Sequence, residues 1–237
     1  MSLKSDTKRK DFLKLSLLFI YFLFFGFFVC PLLSIGQESA KNMVEYSPEF
    51  KFKEGIYLNI DQWKNNRPIT KQRIVTTTDA NDFEYFVKIL SEETLQYFDD
   101  YGIQQTIKVS EIWGYCRKGM VFINWHGEFN RVPVIGSITY FAAMISVSGT
   151  RFEDPFDPYY PSMTVGDNTQ EEIRQYIIDF ESGAVLDFNI HNVEELLKKD
   201  PELYAEYKAL KKKKKRMLAL SYIRKFNTAY PISFPIN

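Results

Sequence analysis

Ile112-Trp113-Gly114-Tyr115-Cys116-Arg117-Lys118-Gly119-Met120-Val121-Phe122-Ile123-Asn124-Trp125 is the stretch on which the fold class turns. Two runs rich in aromatic and β-branched residues flank Lys118-Gly119, the pattern of two antiparallel strands closed by a two-residue turn. Pairing Arg117 with Met120 sets the register. Because strand side chains alternate between faces, Ile112, Gly114, Cys116, Val121, Ile123 and Trp125 fall on one apolar face. Trp113, Tyr115, Arg117 and Asn124 fall on the other, so the Cys116 thiol is expected in the core.

Working downstream, Val132–Val147 is a long apolar run placed beside this hairpin, with Pro133 marking a start or bulge and Gly136 a further irregularity. Tyr176–Phe180 and Ala184–Phe188 form a second hairpin across Glu181-Ser182-Gly183. A three-residue loop puts Tyr176, Ile178, Phe180, Ala184, Leu186 and Phe188 on one face. Upstream, Ile56–Ile60 and Arg73–Thr78 have the composition of strands, and Asp61 is placed to cap a short turn through Lys64. Residues 83–101 fit short helices or strands, with Ser91 as a cap. From residue 191 the pattern is helical: Asn192 with Glu195 at capping-box spacing, then Asp200-Pro201 as cap and first helical residue. Leu203, Tyr207 and Leu210 share a face, and Met217, Leu220 and Phe226 resume apolar character after six consecutive cations. The expected fold is α+β: an antiparallel sheet of six to eight strands, curled or sandwiched, followed by a long broken C-terminal helix.

The first 36 residues are of a different kind. Lys4, Lys8, Arg9, Lys10 and Lys14 form a basic head, and no charge occurs in the 22 residues from Leu15 to Gly36. That run is long enough to span a bilayer. Pro31 interrupts it, and Ser34-Ile35-Gly36 offers small residues where a signal peptidase cuts. Residues 1–36 are therefore a signal peptide cleaved before Gln37, or an inner-membrane anchor through residues 15–36. Either way the body is expected outside the cytoplasm, periplasmic or secreted if cleaved. Cys30, preceded by Val29, fits a lipid-anchoring signal poorly. The remainder divides into a flexible polar arm at 37–53, a mainly β domain at 54–190 and a basic helical segment at 191–237 packed on that domain. Past the leader Cys116 is the sole cysteine, so an intrachain disulfide is excluded and packing must supply stability. The full chain balances 30 basic against 30 acidic residues, but residues 192–237 carry 11 against 5 and residues 37–191 carry 14 against 23. A basic arm on an acidic body can meet an external anion or pair with its own domain.

Glu54-Gly55-Ile56-Tyr57-Leu58, Trp63-Lys64-Asn65-Asn66-Arg67-Pro68, Trp113-Gly114-Tyr115-Cys116, and Asp200-Pro201-Glu202-Leu203-Tyr204 leading into a lysine run together resemble a family of uncharacterised exported proteins of Gram-negative bacteria. The resemblance covers most of the chain past the leader and implies no activity and no catalytic residues.

Two stretches stand out as candidate sites. Residues 149–170 form a long loop rich in proline and glycine, in which Phe152, Glu153, Asp154, Phe156, Asp157, Tyr159 and Tyr160 make a candidate ligand platform. Its carboxylates have the chemistry of a glycosidase pair or a calcium site, although their order fits no EF-hand loop, and solvated turn carboxylates beside prolines are the plainer reading. Lys211, Lys212, Lys213, Lys214, Lys215 and Arg216 are the candidate anion site. They exceed one helical turn, so their stems either lie over the body or reach an anionic envelope surface or polymer. Nucleophilic chemistry needs a base beside the nucleophile. Only His126 and His191 exist, and His126 falls opposite Glu111, away from Cys116. Two histidines and one inward cysteine are too few for zinc. No cofactor is implied, and nucleic acid is a poor match for an exported acidic body. The expected function is non-enzymatic binding or an envelope-associated role; the alternative is a small envelope hydrolase using the 149–170 carboxylates.

Overall fold

The computed structural model describes residues 42–148 and 169–236. In chain order it contains β1 Met43–Glu45, β2 Gly55–Tyr57, α1 Ile60–Lys64, β3 Ile74–Val75, α2 Tyr85–Ile89, β4 Thr94–Phe98, β5 Gln104–Lys108, β6 Gly114–Arg117, β7 Met120–Trp125, β8 Glu128–Arg131, β9 Ile138–Ser148, β10 Thr169–Asp179, β11 Val185–Asp187, α3 Ile190–Leu197, α4 Pro201–Ala209, α5 Lys212–Ala229 and β12 Ser233–Pro235. The class is α+β, and every strand pairing described is antiparallel.

The Lys118-Gly119 turn forms as its residues dictate. Their φ angles of 50° and 76° are those of a turn whose twist matches the flanking strands, and Arg117 lies opposite Met120. The hairpin sits inside a four-stranded sheet ordered β2-β6-β7-β8. Both of its faces are covered. Cys116, Val121 and Ile123 pack with Tyr57, Phe141, Tyr176 and Ile178, whereas Tyr115 and Ile56 pack with Leu95, Tyr85 and Phe86. A second sheet, β11-β10-β9, lies across the first face, and β3-β4-β5 with α2 lies across the second. The outer face of β9 and β10 carries Ile138 and Ile177 against Val193, Leu197, Tyr207, Ile223 and Phe226 of the helices. The body is thus four layers deep, which explains its twelve described strands where six to eight were expected. At Gly55, φ is +151° and a Cβ would collide with the Ile69 carbonyl, so only glycine fits beside the Ile56–Ile69 bridge.

Several sequence expectations are corrected. The second hairpin is offset by one residue: Ile178 pairs with Val185 and Ile177 with Leu186, so the loop is Phe180–Gly183 and Leu186 and Phe188 face the helices rather than the sheet sandwich. β10 is buried on both faces, with Tyr176, Ile177 and Ile178 all in cores, so a one-face apolar pattern could not choose its register. The apolar run joins the hairpin's sheet only at Val132, whose amide donates to the Val121 carbonyl at 2.9 Å; the chain then turns, and β9 pairs with β10 along its whole length. Ile112 and Trp113 exchange faces, because a 3₁₀ turn at Val109–Glu111 precedes β6. Ile112 enters the α2 core, and Trp113 stacks on Trp63 at 5.0 Å. The arm expected to be loose carries, from residue 42, strand β1 paired with β12, and its Phe52 is buried. The caps are Asn59 and Asn189, each accepting a first-turn amide, rather than Asp61 and Asn192. Ser91 follows α2, donating to the Lys88 carbonyl, instead of starting a helix. Asp200 caps α4 as expected, accepting from the Leu203 amide at 3.0 Å.

Candidate functional site

The basic run begins α5. Lys211 is its N-cap residue, in extended conformation, and its side chain offers no oxygen to the first-turn amides. No acidic residue lies in the first turn. Lys211 as the cap and five cations within an 18-residue helix therefore occupy the end where the helix dipole is positive and favours anions. Lysine and arginine suit a helix interior, but capping preference and the dipole both disfavour this residue set at a helix start.

Helical geometry divides the six. Ala219, Tyr222, Ile223 and Phe226 are the buried stripe of α5, and stepping back from Ala219 by three, four and seven positions reaches Arg216, Lys215 and Lys212. These three lie along the body-facing stripe, while Lys213 and Lys214 lie on the opposite side and Lys211 precedes the helix. Lys215 is satisfied: its ammonium meets Glu194 of α3 at 2.5 Å, with both side chains largely covered. Its carbonyl accepts from the Tyr207 hydroxyl at 3.1 Å, and burial pushes that phenol up to about 12. Among the described residues, Lys211, Lys212, Lys213, Lys214 and Arg216 have no ion pair, and all five are exposed.

Beside the stripe lies a cleft of about 510 Å³, in which Lys212 and Arg216 face Gln175 of β10, Phe188, the cap residue Asn189 and the first-turn residues Ile190 and His191 of α3. Phe188 is held edge-on to Tyr140 at 5.2 Å. The side-chain oxygen of Asn189 accepts from the Asn192 amide at 2.9 Å. A second cleft of about 410 Å³ includes Lys64, Asp179, Glu181 and Lys199. Its charges answer one another: Lys199 meets Glu181 at 2.7 Å and Asp179 at 3.4 Å, and Lys64 donates to the Glu181 carbonyl.

The other sequence candidates divide cleanly. Phe152, Glu153, Asp154, Phe156, Asp157, Tyr159 and Tyr160 lie outside the described residues. Cys116 is fully buried between the two central sheets, its Sγ directed at the Phe52 carbonyl at 3.7 Å, and burial pushes its thiol up to about 12. His191 is exposed in the helical layer and His126 is exposed in the β7–β8 turn with φ of 54°. The three make no nucleophile–base pair, and among the described residues no group of three His, Cys, Asp or Glu could hold a metal ion. No described helix is long and apolar enough to cross a membrane; residues 15–36 lie outside that description. Sequence reasoning weighed His191 only as a base or a zinc ligand and passed over Gln175, Phe188 and Asn189 as site residues. Met217 and Leu220, the apolar residues nearest the lysines, count back to Lys213, Lys214 and Arg216, so Lys212 emerges only from the buried stripe that begins at Ala219.

No curated protein and no solved structure matches this chain. One family model does, over residues 55–230, which spans every element from β2 to α5. By that match the chain belongs to a family of unknown function, DUF6563.

Proposed function

We propose that the protein is an exported, non-catalytic binding domain of a Gram-negative bacterial envelope that holds an anionic envelope surface or polymer on the start of α5. The observation that carries this reading is the set of five exposed cations without an ion pair among the described residues, gathered on an uncapped, positively polarised helix end. Had these residues served only to anchor α5, their amines would be expected on the body's carboxylates, as Lys215 is on Glu194. Met217 is 72% exposed and Leu218 37% exposed just beyond the run, so a basic helix start adjoins apolar side chains, a combination suited to an anionic membrane face. Export follows from the charge-flanked apolar leader, and cleavage after Gly36 would make Gln37 the first residue of the envelope-fraction protein.

The test uses the full chain with vesicles containing phosphatidylglycerol or only phosphatidylcholine. The leader's apolar run contributes to both and its basic head adds to the anionic preference, so the α5 contribution is read as the change in that preference when the α5 charges are removed. Lys211→Gln, Lys213→Gln and Lys214→Gln together leave the Lys215–Glu194 pair and the cleft intact. At about 1 kcal/mol per cation near an anionic surface, the triple variant is expected to lose roughly a hundredfold of the anionic preference, and added salt should erode the wild-type preference. An anionic preference that the triple variant keeps in full, together with unchanged retention on purified envelope fragments, would sink the proposal.

A further inference from the structure

Lys212 and Arg216 differ from the outward lysines in where they point. One helical turn apart, they face a cleft whose opposite wall is the N-terminal turn of α3 and whose remaining lining includes one aromatic ring and two amide side chains. The first-turn amides of α3 at Ile190 and His191 have no acceptor within the helix, since the Asn189 cap serves Asn192. Two helix starts, two cations without an ion pair among the described residues, an imidazole and the Gln175 and Asn189 side chains therefore line one cleft. That is more donor capacity than the two oxygens of a carboxylate can use, given that a single guanidinium already matches a carboxylate in bidentate fashion. A tetrahedral oxyanion can use it, with the Arg216 fork and the Lys212 point charge on different oxygens. Phe188 and Ile190 supply an apolar wall that inorganic phosphate would leave uncovered.

We infer that this cleft is a binding site for a phosphomonoester group carried on an apolar or aromatic body, with Lys212 and Arg216 as its principal charge partners and Phe188 as the contact for that body. The inference rests on the proposed anion-binding role of the α5 start but assigns the ligand to different residues, so the two readings fail separately. The same phosphate chemistry occurs on a soluble aromatic or alkyl phosphate and on a lipid headgroup bearing a terminal phosphate.

The test titrates the full chain in a non-ionic detergent with phenyl phosphate, inorganic phosphate and benzoate by calorimetry. Phenyl phosphate is expected to bind about tenfold more tightly than either of the others, reflecting charge-assisted bonds plus buried ring area. Lys212→Gln with Arg216→Gln should cost at least about tenfold in phenyl phosphate affinity, because both charge-assisted contacts go. The outward triple variant Lys211→Gln, Lys213→Gln, Lys214→Gln should stay within about twofold, its charges being exposed and screened. Should the double variant melt early, Arg216→Lys, which keeps the charge and removes the fork, is expected to lose about threefold or more, and Phe188→Leu to lower phenyl phosphate affinity while sparing inorganic phosphate. Phosphatidic acid vesicles at matched surface charge distinguish the sources: a preference over phosphatidylglycerol that Lys212→Gln with Arg216→Gln abolishes points to a headgroup, and phenyl phosphate binding without that preference points to a soluble ligand. No heat or shift with phenyl phosphate up to millimolar concentration, equal binding of benzoate, or equal losses in the inner and outer variants would each overturn the inference.

Discussion

Cys116 shows how burial alone decides whether a reactive residue type is reactive. Its side chain is closed between two sheets, and desolvation disfavours the thiolate, lifting the thiol from near 9.0 to about 12. Native protein at pH 8 should therefore react with a thiol reagent at least ~100-fold more slowly than protein in urea, since labelling waits on an opening of the core. The same shift carries a sign for stability. The folded state keeps the proton after the unfolded chain has lost it, so this contribution is intact below about 9 and is lost as pH rises toward about 12. Urea midpoints measured across that window should fall for the wild type and fall less for Cys116→Ala. Rapid native labelling would place the thiol at the surface and refute the hairpin register. Asn66 is a second residue that geometry explains. Its φ of 47° suits the left-handed region that Asn tolerates, and its buried carbonyl oxygen accepts from the Lys53 amide at 2.9 Å and the Tyr57 hydroxyl at 3.3 Å.

Among elements, α5 is the one whose local chemistry opposes its own formation. A Lys at the N-cap leaves the first amides without a side-chain acceptor, and replacing such a residue by Ser supplies one. Lys211→Ser, whose backbone is already extended as a cap requires, should stabilise the protein by about 1 kcal/mol, seen as a rise in melting temperature of about 2–4 °C. Anionic vesicle binding should weaken at the same time through the lost charge. A lower melting temperature would mean that the lysine stem contributes packing at this position. How legible an element was in the sequence followed from what surrounds it. The β6–β7 pairing was readable because Lys118-Gly119 admits only one turn geometry, whereas the β10–β11 register was not, since apolar side chains line both faces of β10. β5, reading Gln104–Lys108, and β8, reading Glu128–Arg131, carry mainly polar residues and give no apolar alternation to detect. The six cations were visible at once, but dividing them between solvent and cleft required the stripe that Ala219 and Phe226 define.

At the scale of the whole described body, four layers share two central sheets, so no core is independent of its neighbours: Ile56 and Tyr57 are consecutive residues serving opposite sides of one strand. The strands nearest the two ends of this body, β1 and β12, meet each other with Val44 opposite Phe234. Phe234 is fully buried, its ring 4.8 Å from Phe52, 5.6 Å from Phe180 and 5.7 Å from Trp63. It joins residues from the N-terminal arm, α1 and the β10–β11 loop in one aromatic cluster. Phe234→Ala should therefore cost about 3–5 kcal/mol, the transfer and cavity loss for a buried phenyl ring. The shape of the transition is as informative as its position. Trp63 and Trp113, stacked in the same core, report tertiary packing by fluorescence, while far-UV circular dichroism reports α3, α4 and α5. If the layers unfold as one unit, both probes should shift to the same lower urea midpoint with an unchanged slope. A fluorescence change that precedes the loss of helix in the variant would show that the β1–β12 closure can open while the helical layer stays on its sheet, and it would reject a single cooperative body.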